Sequence, residues 1–348
     1  MRIATYNVEW FANLFDDEGR LLEDDGWSGR QDVTRNAQIA ALGYVFQVLD
    51  ADAVMVVEAP DISRHRNGAN ALEGFAKRFG LRARKALAGF SNETQQELIL
   101  LHDPDVIGAR HDPLGPETGK KGGRDAPRFD STFRIDLDID ATEDLVRFSK
   151  PPLEAALETP LGPIRLIGVH IKSKAPHGAR DDDELMRIAI ANRRKQLAQC
   201  IWLRARVEQH LAANDPLIVL GDFNDGPGLD EYEKNFGRSG VEIVLGKDLP
   251  AEAQLYDPHA AEALQSRIAA QPTTARFYID DENRYLSALL DYVMVSPGLR
   301  PQAKRWRIWH PFDDPVCWHD DALCRALLTA SDHFPVVLEL AEAAAVSP

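Results

Sequence analysis

The chain has little cysteine. Cys200, Cys317 and Cys324 are its whole complement. An odd number with no C-x-x-C pair excludes a disulfide framework and points to a reduced compartment, so the sequence reads as cytoplasmic. Positive charge is also short: 40 Lys and Arg against 55 Asp and Glu leave a net charge of −15. That balance excludes a polybasic membrane anchor and a protein that coats nucleic acid with its whole surface. It does not exclude a nuclease, because a site cation and a few local basic residues suffice to hold one phosphate. No apolar run is long enough to span a bilayer. The opening residues 1–11 alternate like a strand and lack a signal peptide's apolar stretch. There is no internal repeat and no low-complexity tract.

What is present suits a globular enzyme. Hydrophobic residues make up 44% of the chain and charged ones 27%, enough apolar material for a core without staples. With no clean boundary in the pattern, residues 1–348 read as a single domain. Strands are expected at Arg2 to Val8, Ala53 to Val57, Leu98 to His102, Thr132 to Leu137, Ile164 to His170, Leu217 to Leu220, Leu289 to Val295 and Val336 to Leu340. Helical spacing marks Asn36 to Leu49 and a long stretch from Glu184 to Leu211, with Leu185, Ile188, Leu197, Ile201 and Leu211 on its apolar side. Strands outnumber helices and do not alternate with them as βαβ units. The fold class is therefore α/β, as a layered sandwich rather than a doubly wound sheet. Residues 111–129, rich in Gly and Pro, read as a mobile or functional loop.

Polar residues gather where the strands end. Asn7 and Glu9 follow the first, Glu58 the next, and His170, Lys172 and Lys174 lie in G-V-H-I-K-S-K. G-D-F-N-D carries Asp222, Asn224 and Asp225; L-D-Y-V-M-V-S carries Asp291; S-D-H-F-P-V carries Asp332 and His333. Hard oxygen donors of this kind suit Mg²⁺ or Mn²⁺, which need only one or two protein carboxylates beside water and substrate phosphate oxygens. Hydrolysis of a phosphate ester requires an orienter for water, a cation on the non-bridging oxygens and help for the leaving oxygen.

Taken in order, Asn7, Glu58, His170, Asp222 with Asn224, Asp291, and Asp332 with His333 resemble the endonuclease/exonuclease/phosphatase superfamily, whose fold is like that of deoxyribonuclease I. The resemblance runs from residue 7 to residue 337; Val57 stands where the family usually has Gln. It implies a four-layer α/β/β/α sandwich of two packed β-sheets flanked by helices. It also implies roles. Glu58 is the main metal ligand, helped by Asn7 and Glu9. Asp222 orients or deprotonates the attacking water, and Asn224 donates to the phosphate. His333, oriented by Asp332, stabilises the developing charge; His170 lies near the leaving group; Asp291 buttresses a histidine.

Other residues have plainer readings. Glu9 and Asp225 stand equally well as supports of the site or as surface carboxylates. Lys172 and Lys174 face the same way in extended chain and suit a phosphate or solvent alike. The spacing of His310, Cys317, His319 and Cys324 fits no usual zinc pattern. The acidic run from Asp181 to Glu184 is expected to cap the long helix. Arg187, Arg193, Arg194 and Lys195 follow on that helix, and most of them are expected in solvent. Lys120, Lys121, Arg124 and Arg128 suit either a phosphate backbone or an ordinary surface loop.

Three functions compete: a Mg²⁺- or Mn²⁺-dependent phosphodiesterase acting on DNA or RNA, a hydrolase of small or lipid phosphoesters, and a non-catalytic binding module. The partner expected is accordingly a nucleic acid or another phosphoester, with oligomeric state left open. The first is favoured because every polar group of the constellation is present.

Overall fold

The computed structural model describes the chain apart from residues 64, 93, 95, 137–142, 176–180, 228–237, 266–270, 280–282 and 343–348, and apart from the side chain at 182. Two main sheets carry the site. The strands are β1 (Arg2–Asn7), β2 (Ala53–Ala59), β3 (Lys85–Ala88), β4 (Glu97–His102), β5 (Gly108–His111), β6 (Phe133–Ile135), β7 (Asp144–Val146), β8 (Leu153–Thr159), β9 (Gly162–His170), β10 (Leu217–Asp222), β11 (Ala275–Ile279), β12 (Arg284–Ala288), β13 (Asp291–Val295), β14 (Ala303–Ile308) and β15 (Val336–Leu340). One sheet runs β14-β15-β1-β2-β4-β3 and the other β13-β10-β9-β8-β5; β11-β12 and β6-β7 are two-stranded ribbons.

Alternation along the strands builds the layers. In β1, Ile3 faces the space between the sheets while Ala4 and Tyr6 face outward; in β2, Met55 and Val57 point in, Val54 and Val56 out. In β10, Ile218 and Leu220 point in while Leu217 and Val219 point out. A strand buried on both faces reads as a continuous apolar run, as these do. The outer face of the first sheet is covered by α1 (Arg35–Leu49), α2 (Gly68–Phe79) and the helix Asp321–Ala330, through Leu42, Phe46, Phe75 and Leu327. The second sheet is covered by α3 (Asp182–Ala212) through Trp202, Leu203 and Val207, and by the helix Gly240–Leu245. The result is the α/β/β/α sandwich.

The helix ends follow ordinary chemistry. Thr34 caps α1 by accepting from the Ala37 N–H. Asp181 caps α3 at 2.8 Å from the Glu184 nitrogen, as the acidic run implied. The first turns of α3 depart from expectation: Leu185, Met186 and Ile190 are exposed, and the buried face begins at Arg193 and Gln196, with Leu197 its first buried apolar residue. The strand expected at Thr132 to Leu137 is shorter, and Leu137 lies outside the described residues.

Residues 111–129 are irregular but tied down. Trp202 Nε1 donates to the Pro127 carbonyl at 2.9 Å, and Arg206 donates to the Ala126 and Pro127 carbonyls. Phe129, Phe133 and Phe148 surround the Trp202 ring at 5.0–5.6 Å between centroids. The stretch expected as a mobile or functional loop is thus anchored on α3 at Ala126 and Pro127. A Gly/Pro-rich stretch gives no sign of tertiary hydrogen bonds to its carbonyls, which is why sequence reading missed them. Replacing Trp202 by Ala is expected to cost about 3–5 kcal/mol. Urea unfolding that shows a loss below about 1 kcal/mol would refute the anchoring role.

Candidate functional site

The same alternation that builds the inter-sheet core delivers the polar site. Ile218 and Leu220 are core residues on the inner face of β10, so Asp222 is the next residue on that face. Likewise Asn7 follows Ile3 and Thr5, and Asp291 precedes Val293 and Val295. His170 follows Leu166 and Gly168. At Gly168 a Cβ would fall 2.3 Å from the end of the Met55 side chain, which packs into the space that the glycine leaves between the sheets. Asp222 pairs in register with His170 on one side and Asp291 on the other, placing the three in one row across β9, β10 and β13. Gly221 sits at φ +135° with the Val169 carbonyl where a Cβ would be, so the glycine of G-D-F-N-D is required by close backbone approach. Across the sandwich, Asn7 Nδ2 donates to Asp222 Oδ2 at 3.0 Å.

Glu58 reaches the row by breaking alternation. The β2–β4 register shifts between Val57 and Ala59, and Glu58 has φ +62°. A bulge of this kind re-aims a side chain, and positive φ at a non-glycine residue is backbone strain that a functional site retains. Its carboxylate comes 4.0 Å from His170 Nε2. Val57, where the family pattern has Gln, is fully buried among the inter-sheet side chains.

Electrostatics separate the two histidines. Burial pushes His170 well below its ordinary range, helped by the positive charges of Lys150 and His333, so it is neutral. Burial opposes charge on His333 too, but the Asp291 carboxylate, with Asp332 and Asp222 beyond it, outweighs that and holds the ring protonated. His333 Nδ1 donates to Asp291 Oδ2 at 2.7 Å. Burial also raises Asp222, to about 7, against the pull of His333. Glu58 is raised by burial, with Lys150 and His333 partly offsetting it. Pairs of titratable groups driven apart in this way mark acid/base sites.

The structure thus brings together Asn7, Glu58, His170, Asp222, Asn224, Asp291 and His333. Asn224, at φ +48°, donates from its backbone N–H to Asp222 Oδ1 at 2.7 Å and from Nδ2 to Asp222 Oδ2 at 3.0 Å. One expectation is corrected: the partner of His333 is Asp291, while Asp332 uses its carbonyl to accept from the Arg276 N–H. Adjacency in sequence suggested Asp332, but neighbouring side chains of an extended segment point apart. Glu9 forms an ion pair with Arg30 at the edge of the site, and burial raises its carboxyl to about 7. Asp225 is fully buried and bonds Lys174 Nζ at 2.6 Å and the Gly240 N–H. It therefore supports the loop and is no surface carboxylate, and Lys174 points to it. Of the four basic residues on α3, most of which were expected in solvent, Arg193 is buried, 3.5 Å from Asp225. Of the basic loop, Arg124 pairs with Glu143, and Arg128 with Glu117 and Asp130. His310, Cys317 and Cys324 have separate partners: His310 Nδ1 accepts backbone N–H groups, Cys317 Sγ takes the Arg307 guanidinium, and Cys324 Sγ donates to the Pro311 carbonyl.

Three contributors escaped sequence reading. Lys150 Nζ lies 3.2 and 3.3 Å from the two ring nitrogens of His170. Ser331 Oγ donates to the Asn7 carbonyl and accepts from the Glu9 and His333 N–H groups, locking three site loops together. Thr274 Oγ1 accepts from the Leu290 and Asp291 N–H groups, both at 2.9 Å. Of these only Ser331 left a signal, as the first residue of S-D-H-F-P-V.

The donor set fits a hard divalent cation. Asn7 Oδ1 is buried with no hydrogen-bond donor, as are Asp291 Oδ1 and Asp332 Oδ1. An acceptor oxygen buried without a donor is costly unless something positive meets it. Among the described residues no three His, Cys, Asp or Glu side chains form a metal-holding group.

The sequence matches the profile of the Endonuclease/Exonuclease/phosphatase family over residues 4–333. No curated protein sequence matches the chain. Similar solved structures include an AP endonuclease from Archaeoglobus fulgidus, at 10% identity and a TM-score of 0.51, covering 98% of this chain and 100% of that one. A 3'-5' exonuclease from Neisseria meningitidis has 16% identity and a TM-score of 0.49, with coverage of 98% and 100%. A mannosyl-6-phosphatase from Bacteroides thetaiotaomicron has 14% identity and a TM-score of 0.49, with the same coverage.

The His333–Asp291 pair makes a pH prediction. Because the folded-state pKa of His333 is raised, the pair's stabilisation is fully present below about pH 6.5 and is lost as pH rises through the folded value. Asp291→Asn is expected to lower the His333 titration point, read from its ring NMR signals. It should cost about 3–5 kcal/mol near pH 6, the penalty for leaving a buried charge unpaired. An unchanged ring titration would show that Asp291 does not hold the proton.

Proposed function

Because the chain belongs to the Endonuclease/Exonuclease/phosphatase family and is therefore a hydrolase of phosphate esters, we propose that its substrate bond is the phosphodiester of DNA or RNA. Mg²⁺ or Mn²⁺ is the proposed cofactor, with Asn7 and Glu58 as its protein ligands and Glu9 at the periphery. Such a cation supplies charge neutralisation on the non-bridging phosphate oxygens.

The observation that carries the proposal is the row of His170, Asp222 and Asp291 closed by Asn7 from the other sheet. Asp222 is held from several sides, and its carboxylate is the proposed acceptor of a proton from water. Asn7 and Asn224 fix its orientation, and its raised pKa makes it a stronger base than an exposed carboxylate. In the displacement, water oxygen bonds to phosphorus, one ester P–O bond breaks, and the water proton passes to Asp222. His333 has Nδ1–H engaged by Asp291, which leaves Nε2–H as the donor toward charge growing on a phosphate oxygen. Neutral His170, under Lys150, faces the leaving group's side, and Lys150 adds positive potential for an anionic substrate.

A small or lipid phosphoester remains the second reading, favoured by the net charge of −15, since a small substrate needs no extended basic track. Supercoiled plasmid incubated with the protein and Mg²⁺ or Mn²⁺ separates the two. Nicking abolished by EDTA and reduced roughly 10²–10⁴-fold in Asp222→Asn is expected. An intact plasmid with turnover of small monoesters would transfer the assignment to the second reading.

A further inference from the structure

Beside the reaction centre lies a groove of about 520 Å³ whose outer part the hydrolytic machinery does not use. That size lies in the range of small-ligand sites. Glu9 and Asp332 form the wall nearest the site, Arg30 lies beside them, and Arg276, Tyr285 and Phe312 form the outer wall. The outer wall is fixed to the centre through the backbone. The Arg276 N–H donates to the Asp332 carbonyl at 2.7 Å, and Ala275 bridges to His333.

The chemistry of that wall is specific. The Arg276 guanidinium lies 4.3 Å from the Tyr285 ring centroid and 5.3 Å from that of Phe312. It pairs with no carboxylate among the described residues, on a chain where most arginines beside the site are paired. Tyr285 is 55% exposed and Phe312 39% exposed, so large aromatic faces stand in water at the rim. An isolated surface aromatic needs no explanation, but two rings framing an unpaired guanidinium next to a phosphate-ester site do. Guanidinium and aromatic planes are the surfaces on which unstacked bases rest, and Arg is suited to phosphate oxygens.

We propose that this groove is a nucleotide subsite. Arg276 takes a phosphate adjoining the scissile one, and the base of that nucleotide stacks against Tyr285 and Phe312. The substrate class is then a single-stranded or locally unpaired polynucleotide, because a base inside a duplex presents no free face. The proposal rests on the phosphodiesterase reading and narrows it. Two occupied walls explain how an acidic protein holds an anionic strand: affinity comes from one unpaired guanidinium and ring stacking, with little long-range attraction.

The test is binding of a fluorescein-labelled single-stranded 12-mer in EDTA, followed by anisotropy, with DNA, RNA and an abasic-spacer strand of the same length as separate arms. Tyr285→Ala is expected to weaken the base-bearing strands roughly 5- to 100-fold and leave the abasic strand's affinity unaltered. Arg276→Ala is expected to weaken all three and flatten the salt dependence by about one phosphate contact. Arg276→Lys should restore the salt slope and recover part of the affinity for all three strands alike, a pattern that a general folding defect does not give. Wild-type protein that nicks plasmid with metal while both alanine variants bind strands as it does would overturn the subsite and leave the phosphodiesterase intact. Wild-type protein that neither binds strands nor nicks plasmid, yet hydrolyses small monoesters, would overturn both.

Discussion

The hydrogen bond from Asn7 to Asp222, with the His333–Asp291 pair beside it, joins two sheets whose facing surfaces are otherwise largely apolar. Its existence depends on side-chain parity. Every residue that separates Ile3 from Asn7, or Ile218 from Asp222, must keep its face, since a one-residue slip in either strand sends the polar end group outward. The inter-sheet packing of Met55, Leu166, Leu220 and Val293 therefore sets more than stability. It fixes the distance at which polar groups from the two sheets meet, and a rigid core makes that distance reproducible.

Glu58 shows what regular structure cannot supply. On an unbroken β2 its side chain would face the outer layer with Val54 and Val56. The bulge and the positive φ turn it toward His170, at a conformational cost of order 1–3 kcal/mol that the surrounding sheet sustains. Ser331 performs a related task without strain. One hydroxyl binds the chain after β1 to the chain before β15, so the backbone groups of Asn7, Glu9 and His333 meet at a single atom.

Much of this was legible in the sequence, for a physical reason. Strands buried on both faces are short apolar runs, and the residue that ends such a run is placed by it, so Asn7, His170, Asp222 and Asp291 were readable as a set. The partner of His333 was not. It depends on which strand lies alongside, and Asp291 is 42 residues away in the chain. Lys150 was unreadable for the same reason: it belongs to no motif and reaches His170 from the turn before β8. The anchoring of residues 111–129 depends on Trp202 and Arg206 of α3, whose pattern shows an apolar face but not what that face holds.

Net charge is a poor guide to the field at the site. The chain carries −15 overall, yet Lys150 and protonated His333 stand beside the candidate phosphate position, and Arg30 and Arg276 line the groove next to it. Burial sharpens the contrast, because charges in a poorly solvated cleft interact over distances at which exposed carboxylates are screened to insignificance. It also raises Glu9, Glu58 and Asp222, so that the local negative charge is smaller than a count of carboxylates suggests. Burial lowers Lys150 too, so charge of both signs is reduced in the cleft, and His333 is the cation that its neighbouring carboxylates reinforce. Such an arrangement admits a phosphate ester at one place and repels polyanions from the rest of the surface, so selectivity for position comes from the same burial that tunes the chemistry.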